Sequence, residues 1–276
     1  VVGTIHKILA LALLAATATA ACATSEDKKQ LTYSMTAKQN YERGLEELKK
    51  ENYVEAAGYF SYVKQKFPFS KYAALAELAL ADTDFARGSY LEAIDSYKSF
   101  ARLHPTHEKV EDGYVAFRIA ESYVKEMPDD WVLLPPSYEK DQSAVRDALR
   151  ELDSARERFP NSPYLKQANE YRHQVLRRLV DHEVYVARFY LGRGRPKGAI
   201  LRIEAALRRY PDSGREADLM LALGETHLEL GHPASAKQVF LRVVNEYGNA
   251  LEIKRAQLFL AFIRKRYGES PVDASG

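Results

Sequence analysis

From about residue 35 onward, apolar residues recur three and four positions apart with small residues at fixed points between them. Twelve positions before each of Pro68, Pro105, Pro160 and Pro211 stands an alanine: Ala56, Ala93, Ala148 and Ala199. Four positions after each alanine come Phe60, Tyr97, Leu152 and Ile203, and three beyond those come Val63, Phe100, Ala155 and Ala206. Residues four and seven apart share one helix face, so each run predicts a helix that buries one stripe. A fifth run carries Ala236, Phe240 and Val243, with Gly248 and Asn249 in place of the proline ending. No alternating pattern of useful length predicts a strand.

A second set of helices precedes the first. Gly44, Ala81, Ala187 and Gly224 lie twelve residues before four of the repeat alanines, where a small side chain lets paired helices approach closely. Gly88, Gly194 and Gly231 suit helix ends, because glycine tolerates the left-handed turn there. Ser70, Ser162 and Ser213 suit helix starts, where a hydroxyl oxygen accepts from an unpaired backbone N–H. A small residue at the helix contact, then large apolar residues one turn on, is the pattern of tetratricopeptide repeats, whose period is about 34 residues. The chain is expected to be all-α, a tetratricopeptide-repeat solenoid of about five helix pairs over 35–268. N-terminal repeats would occupy 35–105, and C-terminal repeats with a closing helix 106–268.

The prolines lie 37, 55 and 51 residues apart, so the later units carry insertions. One is the stretch 125–143, expected as a loop inside the third repeat. The other is the run from Pro163 to Leu191, free of glycine and proline and expected as one long or kinked helix. Residues 251–267 read as a closing helix, with Leu258, Phe259 and Phe262 available to cover the last repeat. Residues 269–276 are left as a tail.

The first 34 residues differ in kind. Lys7 precedes an apolar run from Ile8 to Ala21, fourteen residues, which is short for a membrane span but suits an export signal over 1–21. The chain opens Val1-Val2, which leaves its translation start open. Cys22 is the one cysteine in the sequence and stands where the apolar run meets polar residues. Small residues followed by cysteine after a signal core resemble a bacterial lipobox, despite Thr19 where leucine is usual. Cys22 is therefore expected to carry covalent lipid, with 22–34 as a flexible tether; an ordinary signal cut beside a leftover cysteine is the alternative. Several acyl chains anchor stably where one is marginal, at about 0.8 kcal/mol per buried CH₂.

The chemistry of the body is sparse. Lys and Arg total 40 against 38 Asp and Glu, which removes overall charge as an argument for nucleic acid. His104 and His107 lack the further ligands a metal needs and are expected to cap and brace a loop. Asp129 and Asp130, beside Trp131, are adjacent loop acids poorly placed for acid–base work. No catalytic set, metal site or cofactor is expected, apart from the lipid on Cys22. Charge does separate along the chain. Repeat two carries Glu77, Asp82, Asp84, Glu92 and Asp95 against Arg87, whereas repeat four carries Arg193, Arg195, Lys197, Arg202, Arg208 and Arg209 against Glu204. These runs are either solvated faces or two docking surfaces.

Several blocks in order resemble the BamD, or ComL-type, family of outer-membrane β-barrel assembly lipoproteins. They are FPFSKYAALAELALAD, RLHPTHEKVEDGYVAFRIAESY, KDQSAVRDAL, FPNSPYLKQA and VYVARFYLGRGRPKGAILRIEAALRRYPDS. The resemblance implies an acylated, outer-membrane, periplasm-facing scaffold that is not an enzyme. It implies docking on a periplasmic domain of the barrel insertase and on accessory lipoproteins, and contact with unfolded outer-membrane proteins. It places a docking arginine at Arg202 and an Arg-Gly pair at Arg193 and Gly194, beside Arg195. It also places a pocket for a substrate's targeting signal in the N-terminal repeats, where Phe67, Phe69 and Tyr72 are candidates. From the residues alone, Arg202 could equally hold a local ion pair, and the three aromatics could pack repeat one on repeat two. Arg202→Glu is expected to weaken docking while leaving the solenoid folded. Other exported repeat lipoproteins, a cell-envelope coordinator or a secretin pilot, would share the solenoid without the FYLGRG block.

Overall fold

Four helix endings in the chain share one backbone geometry. Phe67, His104, Phe159 and Tyr210 all close a helix with φ between −124 and −129° and ψ between 50 and 62°. Each is followed by proline, which cannot continue the helix because it lacks an N–H and clashes with the preceding turn. The computed structural model describes residues 31–128, 136–247 and 250–273. The expected signal segment, Cys22, most of the expected tether, Asp129 to Trp131, Gly248 and Asn249 lie outside the described residues.

Residues 31–35 form no regular element, and the repeat body begins at Thr36. It contains α1 (Ala37–Lys49), α2 (Tyr53–Lys66), α3 (Lys71–Ala86), α4 (Tyr90–Leu103), the single turn α5 (Glu108–Glu111), α6 (Tyr114–Glu126), α7 (Ser143–Arg158), α8 (Leu165–Gly192), α9 (Pro196–Arg209), α10 (Glu216–Glu229), α11 (Pro233–Glu246) and α12 (Ala250–Tyr267). The pairs α1–α2, α3–α4, α6–α7, α8–α9 and α10–α11 are the five repeats, and each long helix packs on the next. The protein is an all-α tetratricopeptide-repeat solenoid, with no strand among the described residues.

The repeat positions read from the sequence are the core. Ala56, Ala93, Ala148, Ala199 and Ala236 are fully buried, as are Phe60, Tyr97, Leu152, Ile203 and Phe240. The two glycines at the helix contact face phenylalanine: a Cβ on Gly44 would lie 2.5 Å from the Phe60 ring, and one on Gly224 2.5 Å from the Phe240 ring. Alanine suffices where the matching residue is Tyr97 or Ile203.

The first helices of four repeats end in the same hydrogen-bonded turn. Around Gly194, its own N–H reaches the Leu191 carbonyl at 2.8 Å and the Arg195 N–H reaches the Tyr190 carbonyl at 2.9 Å. This is a Schellman ending, with Gly194 at φ 66°. Gly88 and Gly231 repeat it, and Glu51 holds the same place in repeat one at φ 63°. A residue with a Cβ in that conformation costs about 1 kcal/mol or more.

Of the three serines expected at helix starts, Ser70 is the N-cap of α3, whereas Ser162 and Ser213 stand two residues before the N-cap positions of α8 and α10. Ser70 accepts from the Tyr72 N–H at 3.2 Å. Ser162 accepts from the Tyr164 N–H at 3.3 Å, and its hydroxyl donates to the Asp112 carbonyl at 2.7 Å. Ser213 accepts from the Arg215 N–H, while the Glu216 carboxylate reaches back to the Ser213 N–H at 2.8 Å. That reciprocal pair braces the turn that leads into α10.

The two insertions are parts of one feature. The 28 residues of α8 make a helix about 42 Å long. Its N-terminal half packs on α6 and α7, and its C-terminal half pairs with α9 as repeat four. The described end of the 125–143 stretch, Ser137–Glu139, forms a 3₁₀ turn against α8, where His182 Nδ1 lies 2.6 Å from the Tyr138 carbonyl oxygen.

The closing helix covers the last repeat differently than expected. Phe259 stacks on Phe240, with ring centres 4.7 Å apart, while Ala256 and Ile263 complete the seal. Leu258 and Phe262 face outward, 65 % and 45 % exposed. Leu258 and Phe262 lie about 100° and about 60° round the helix from Phe259, enough to turn both away from α11.

The segment after Gly268 folds back on α11. Asp273 accepts from the Ala234 N–H at 2.7 Å, from the Ser235 N–H at 3.2 Å and from the Ser235 hydroxyl at 2.5 Å. It caps a helix whose own His232 supplies no side-chain cap. Partial burial raises its carboxyl, but the Ser235 hydroxyl and the two backbone N–H groups hold it below the usual carboxylate range. A lowered pKa stabilises the fold above the unfolded value and loses that contribution as pH falls through the folded value. Asp273→Ala is expected to cost about 1 kcal/mol at pH 7. The deficit should vanish in thermal melts run below the folded pKa, where the wild-type carboxyl is itself protonated.

Candidate functional site: the fourth-repeat hairpin

The α8–α9 hairpin turns at Gly194, and the residues around it project outward for a backbone reason. The Schellman ending leaves Arg193, Gly194 and Arg195 exposed, and Pro196 starts α9 immediately after. The Arg193 guanidinium lies 5.1 Å from the centre of the Phe189 ring, which is 53 % exposed. On α9, Lys197, Leu201 and Arg208 share the outward face, since positions four and eleven apart nearly superimpose on a helix. Leu201 is 65 % exposed. The hairpin thus presents cations interleaved with apolar side chains, a composition that suits an acidic protein surface.

Arg202 is not part of that outward set. It lies on the side of α9 that faces α8, where its Nη1 is 3.1 Å from Oε2 of Glu183. Arg209, one heptad on, approaches the other oxygen of Glu183 at 3.9 Å. Glu183 is 5 % exposed, so two arginines of α9 clamp one buried carboxylate of α8. Sequence reasoning missed Glu183; its one signal was its place a turn before Ala187 on the buried stripe. It also missed Gly198, where a Cβ would lie 2.9 Å from the Tyr190 ring.

Of the aromatics suggested for a substrate pocket, Phe67 and Tyr72 pack against one apolar cluster and Phe69 does not. Phe67 packs edge-on against Tyr62, with centres 6.0 Å apart, and Tyr72 packs against Tyr41 at 5.7 Å. Tyr41 also meets Phe60 at 5.7 Å, so this cluster joins repeat one to repeat two. Phe69 points away from it and is fully exposed.

The acids of repeat two are largely consumed inside the fold. Asp82 accepts from the Tyr97 hydroxyl at 2.5 Å and the Tyr114 hydroxyl at 2.7 Å. Burial, and then the neighbouring Asp82 carboxylate, push both phenols well above the ordinary tyrosine range. Asp84 pairs with Arg87 at 2.9 Å, and Glu77 meets His104 Nε2 at 2.7 Å and Lys64 at 3.4 Å. Glu92 and Asp95 remain exposed. The acidic docking surface considered for this repeat is therefore reduced to those two residues. His107 caps α5, its Nδ1 accepting from the Lys109 N–H at 3.1 Å. No group of three metal-ligating side chains occurs among the described residues.

A family model described as an outer membrane lipoprotein, YfiO, matches residues 33–241. The outer membrane protein assembly factor BamD of Caulobacter vibrioides is 27 % identical over 228 residues, covering 82 % of this chain and 72 % of that protein. The factor of the same name from Neisseria meningitidis serogroup A is 26 % identical over 228 residues, covering 79 % and 83 %. Among solved structures, the TPR2AB domain of yeast Sti1 in a pHSP90 complex aligns over 83 % of each chain at 12 % identity with a TM-score of 0.45. The family match takes in all five helix pairs, up to the middle of α11, and leaves α12 outside it. With most of the chain matched, the protein belongs to the YfiO family of outer-membrane lipoproteins.

Proposed function

We propose that the chain is a non-catalytic scaffold in the assembly of outer-membrane β-barrel proteins. The observation that carries this reading is the match of one outer-membrane lipoprotein family, and of assembly factors within it, across the five repeats. In this reading Cys22 carries the lipid that tethers the solenoid to the outer membrane on its periplasmic side. No helix among the described residues is long and apolar enough to cross a membrane.

The exposed cations of the α8–α9 hairpin, Arg193, Arg195, Lys197 and Arg208, dock on an acidic patch of a periplasmic domain of the barrel insertase. Phe189 and Leu201 supply the apolar contact between them. Accessory assembly lipoproteins and unfolded outer-membrane proteins complete the set of partners. The regular repeats support a scaffold role, because their conserved-size small and large positions are all spent on stacking.

The test is a pull-down of the tagged protein from native outer membranes in mild detergent, with the co-purifying proteins identified by mass. A stoichiometric barrel protein with periplasmic domains is the expected result. Recovery of a secretin, or of peptidoglycan enzymes, without that barrel protein would replace this reading by a pilot or a cell-envelope coordinator.

A further inference from the structure

A stacked helical array is expected to close with a helix whose outer face is polar. The outer face of α12 instead mixes cations with large exposed apolar side chains. Lys254, Arg255, Leu258, Phe262, Lys265 and Arg266 fall within an arc of about 120° when side chains advance about 100° per residue. All six are exposed. The arc contains no acid, and Glu252, the one carboxylate of the helix, has its Oε2 buried. Arg255 is held by Glu225 at 3.3 Å. Among the described residues, Lys254, Lys265 and Arg266 form no ion pair. The Arg266 guanidinium lies 5.9 Å from the Phe262 ring centre and 5.5 Å from that of Tyr267. Two outward apolar side chains thus sit between cations at either end of one helix.

That pattern disfavours a second copy, since two such faces would oppose cation to cation. An acidic protein surface would match its charge, as at the α8–α9 hairpin, but one helix face is small for such a partner. A protein interface needs about 800 Å² from each side, far more than one narrow apolar strip supplies. A lipid surface asks less: shallow entry of an apolar face at the headgroup boundary, and diffuse attraction between cations and anionic headgroups. We propose that the outer face of α12 docks on an anionic phospholipid surface, with Leu258 and Phe262 entering the headgroup boundary and Lys254, Lys265 and Arg266 meeting phosphates. The proposal rests on the membrane association of the family and not on acylation of Cys22. It concerns a helix that the family match does not include.

The experiment uses the full chain carrying Cys22→Ser, so that no acyl chain contributes. Its co-sedimentation is measured with vesicles of phosphatidylcholine alone and of phosphatidylcholine mixed with phosphatidylglycerol. Binding is expected to the mixed vesicles and to weaken as salt is raised. Lys254→Gln, Lys265→Gln and Arg266→Gln together are expected to reduce partitioning about 100-fold, since each cation near such a surface counts for about fivefold. The same number of neutralisations along α9 and its N-cap, at Arg195, Lys197 and Arg208, should leave it unchanged. Equal melting temperatures would show that all variants are folded. Failure of the parent chain to prefer the mixed vesicles would overturn the proposal, as would equal losses in the α12 and α9 variants. Acylation of Cys22 is read separately, from the mass of the amino-terminal peptide of the native protein.

Discussion

Arg118→Ala is expected to lower the unfolding free energy by about 3–5 kcal/mol, the usual cost of removing one partner from a buried ion pair. Arg118 on α6 donates from Nε to the Tyr97 hydroxyl oxygen at 3.0 Å and from Nη1 to Glu121 at 2.7 Å. Its guanidinium lies 3.6 Å from the centre of the Phe85 ring. Tyr97 and Tyr114 tie the same network to Asp82, and the Tyr171 hydroxyl donates to Glu121 at 2.8 Å. These residues come from α3, α4, α6 and α8, so one cation bridges repeats two, three and four. Alanine would leave Glu121, 6 % exposed, facing no cation, and Asp82 without its nearest positive charge. For a body of this size the expected fall in melting temperature is about 10 °C. Arg118→Lys keeps the charge but loses the planar fork and the ring contact, and a smaller loss is expected. Denaturant titration checks both, and a loss under about 1 kcal/mol for alanine would show that the network adds little to stability.

None of that network was legible from the repeat pattern, for a physical reason. Periodicity reports which side chains are buried on a stripe, and Ala93, Tyr97 and Phe100 were read correctly on that basis. It does not report which polar groups from different helices meet once the stripes are stacked. Asp82 read as a surface acid because two of its partners, Tyr114 and Arg118, lie in another repeat and the third, Tyr97, was read only as an apolar core position. The same blindness hid Asp273, whose cap on α11 joins residues 38 and 39 positions apart. It hid the outward turn of Leu258 and Phe262 as well, because among the described residues no helix after α12 repeats the pattern that would show which face the stack uses. Most local endings were readable, the one at Glu51 excepted because no glycine marks it. Proline after each second helix, and glycine after three of the first helices, encode backbone geometry that depends on nearest neighbours alone. The hairpin cations were visible as a charge run, but their division into outward and inward sets needed Glu183.

That division changes what a charge reversal at Arg202 should do. Arg202→Glu would set a second carboxylate against Glu183, which is buried and would keep just Arg209 at 3.9 Å. A loss of about 2–3 kcal/mol in stability is expected, near the low end of the cost of breaking a buried pair because Arg209 remains. Weakened partner binding by that variant would then report a disturbed α8–α9 hairpin and say little about direct contact. Arg193→Glu with Arg195→Glu separates the two effects. Both side chains are exposed, and neither forms an ion pair among the described residues, so the change in stability should stay within about 0.5 kcal/mol. Binding to the insertase's periplasmic domain should nevertheless weaken at least about tenfold, as charges at an interface rim are reversed against an acidic patch. Calorimetric titration of both variants, paired with thermal melts, decides the matter. A stable double variant that binds like the parent would remove the hairpin edge as the docking surface. A stable Arg202→Glu would show that the Glu183 clamp contributes little and return Arg202 to the list of direct contacts.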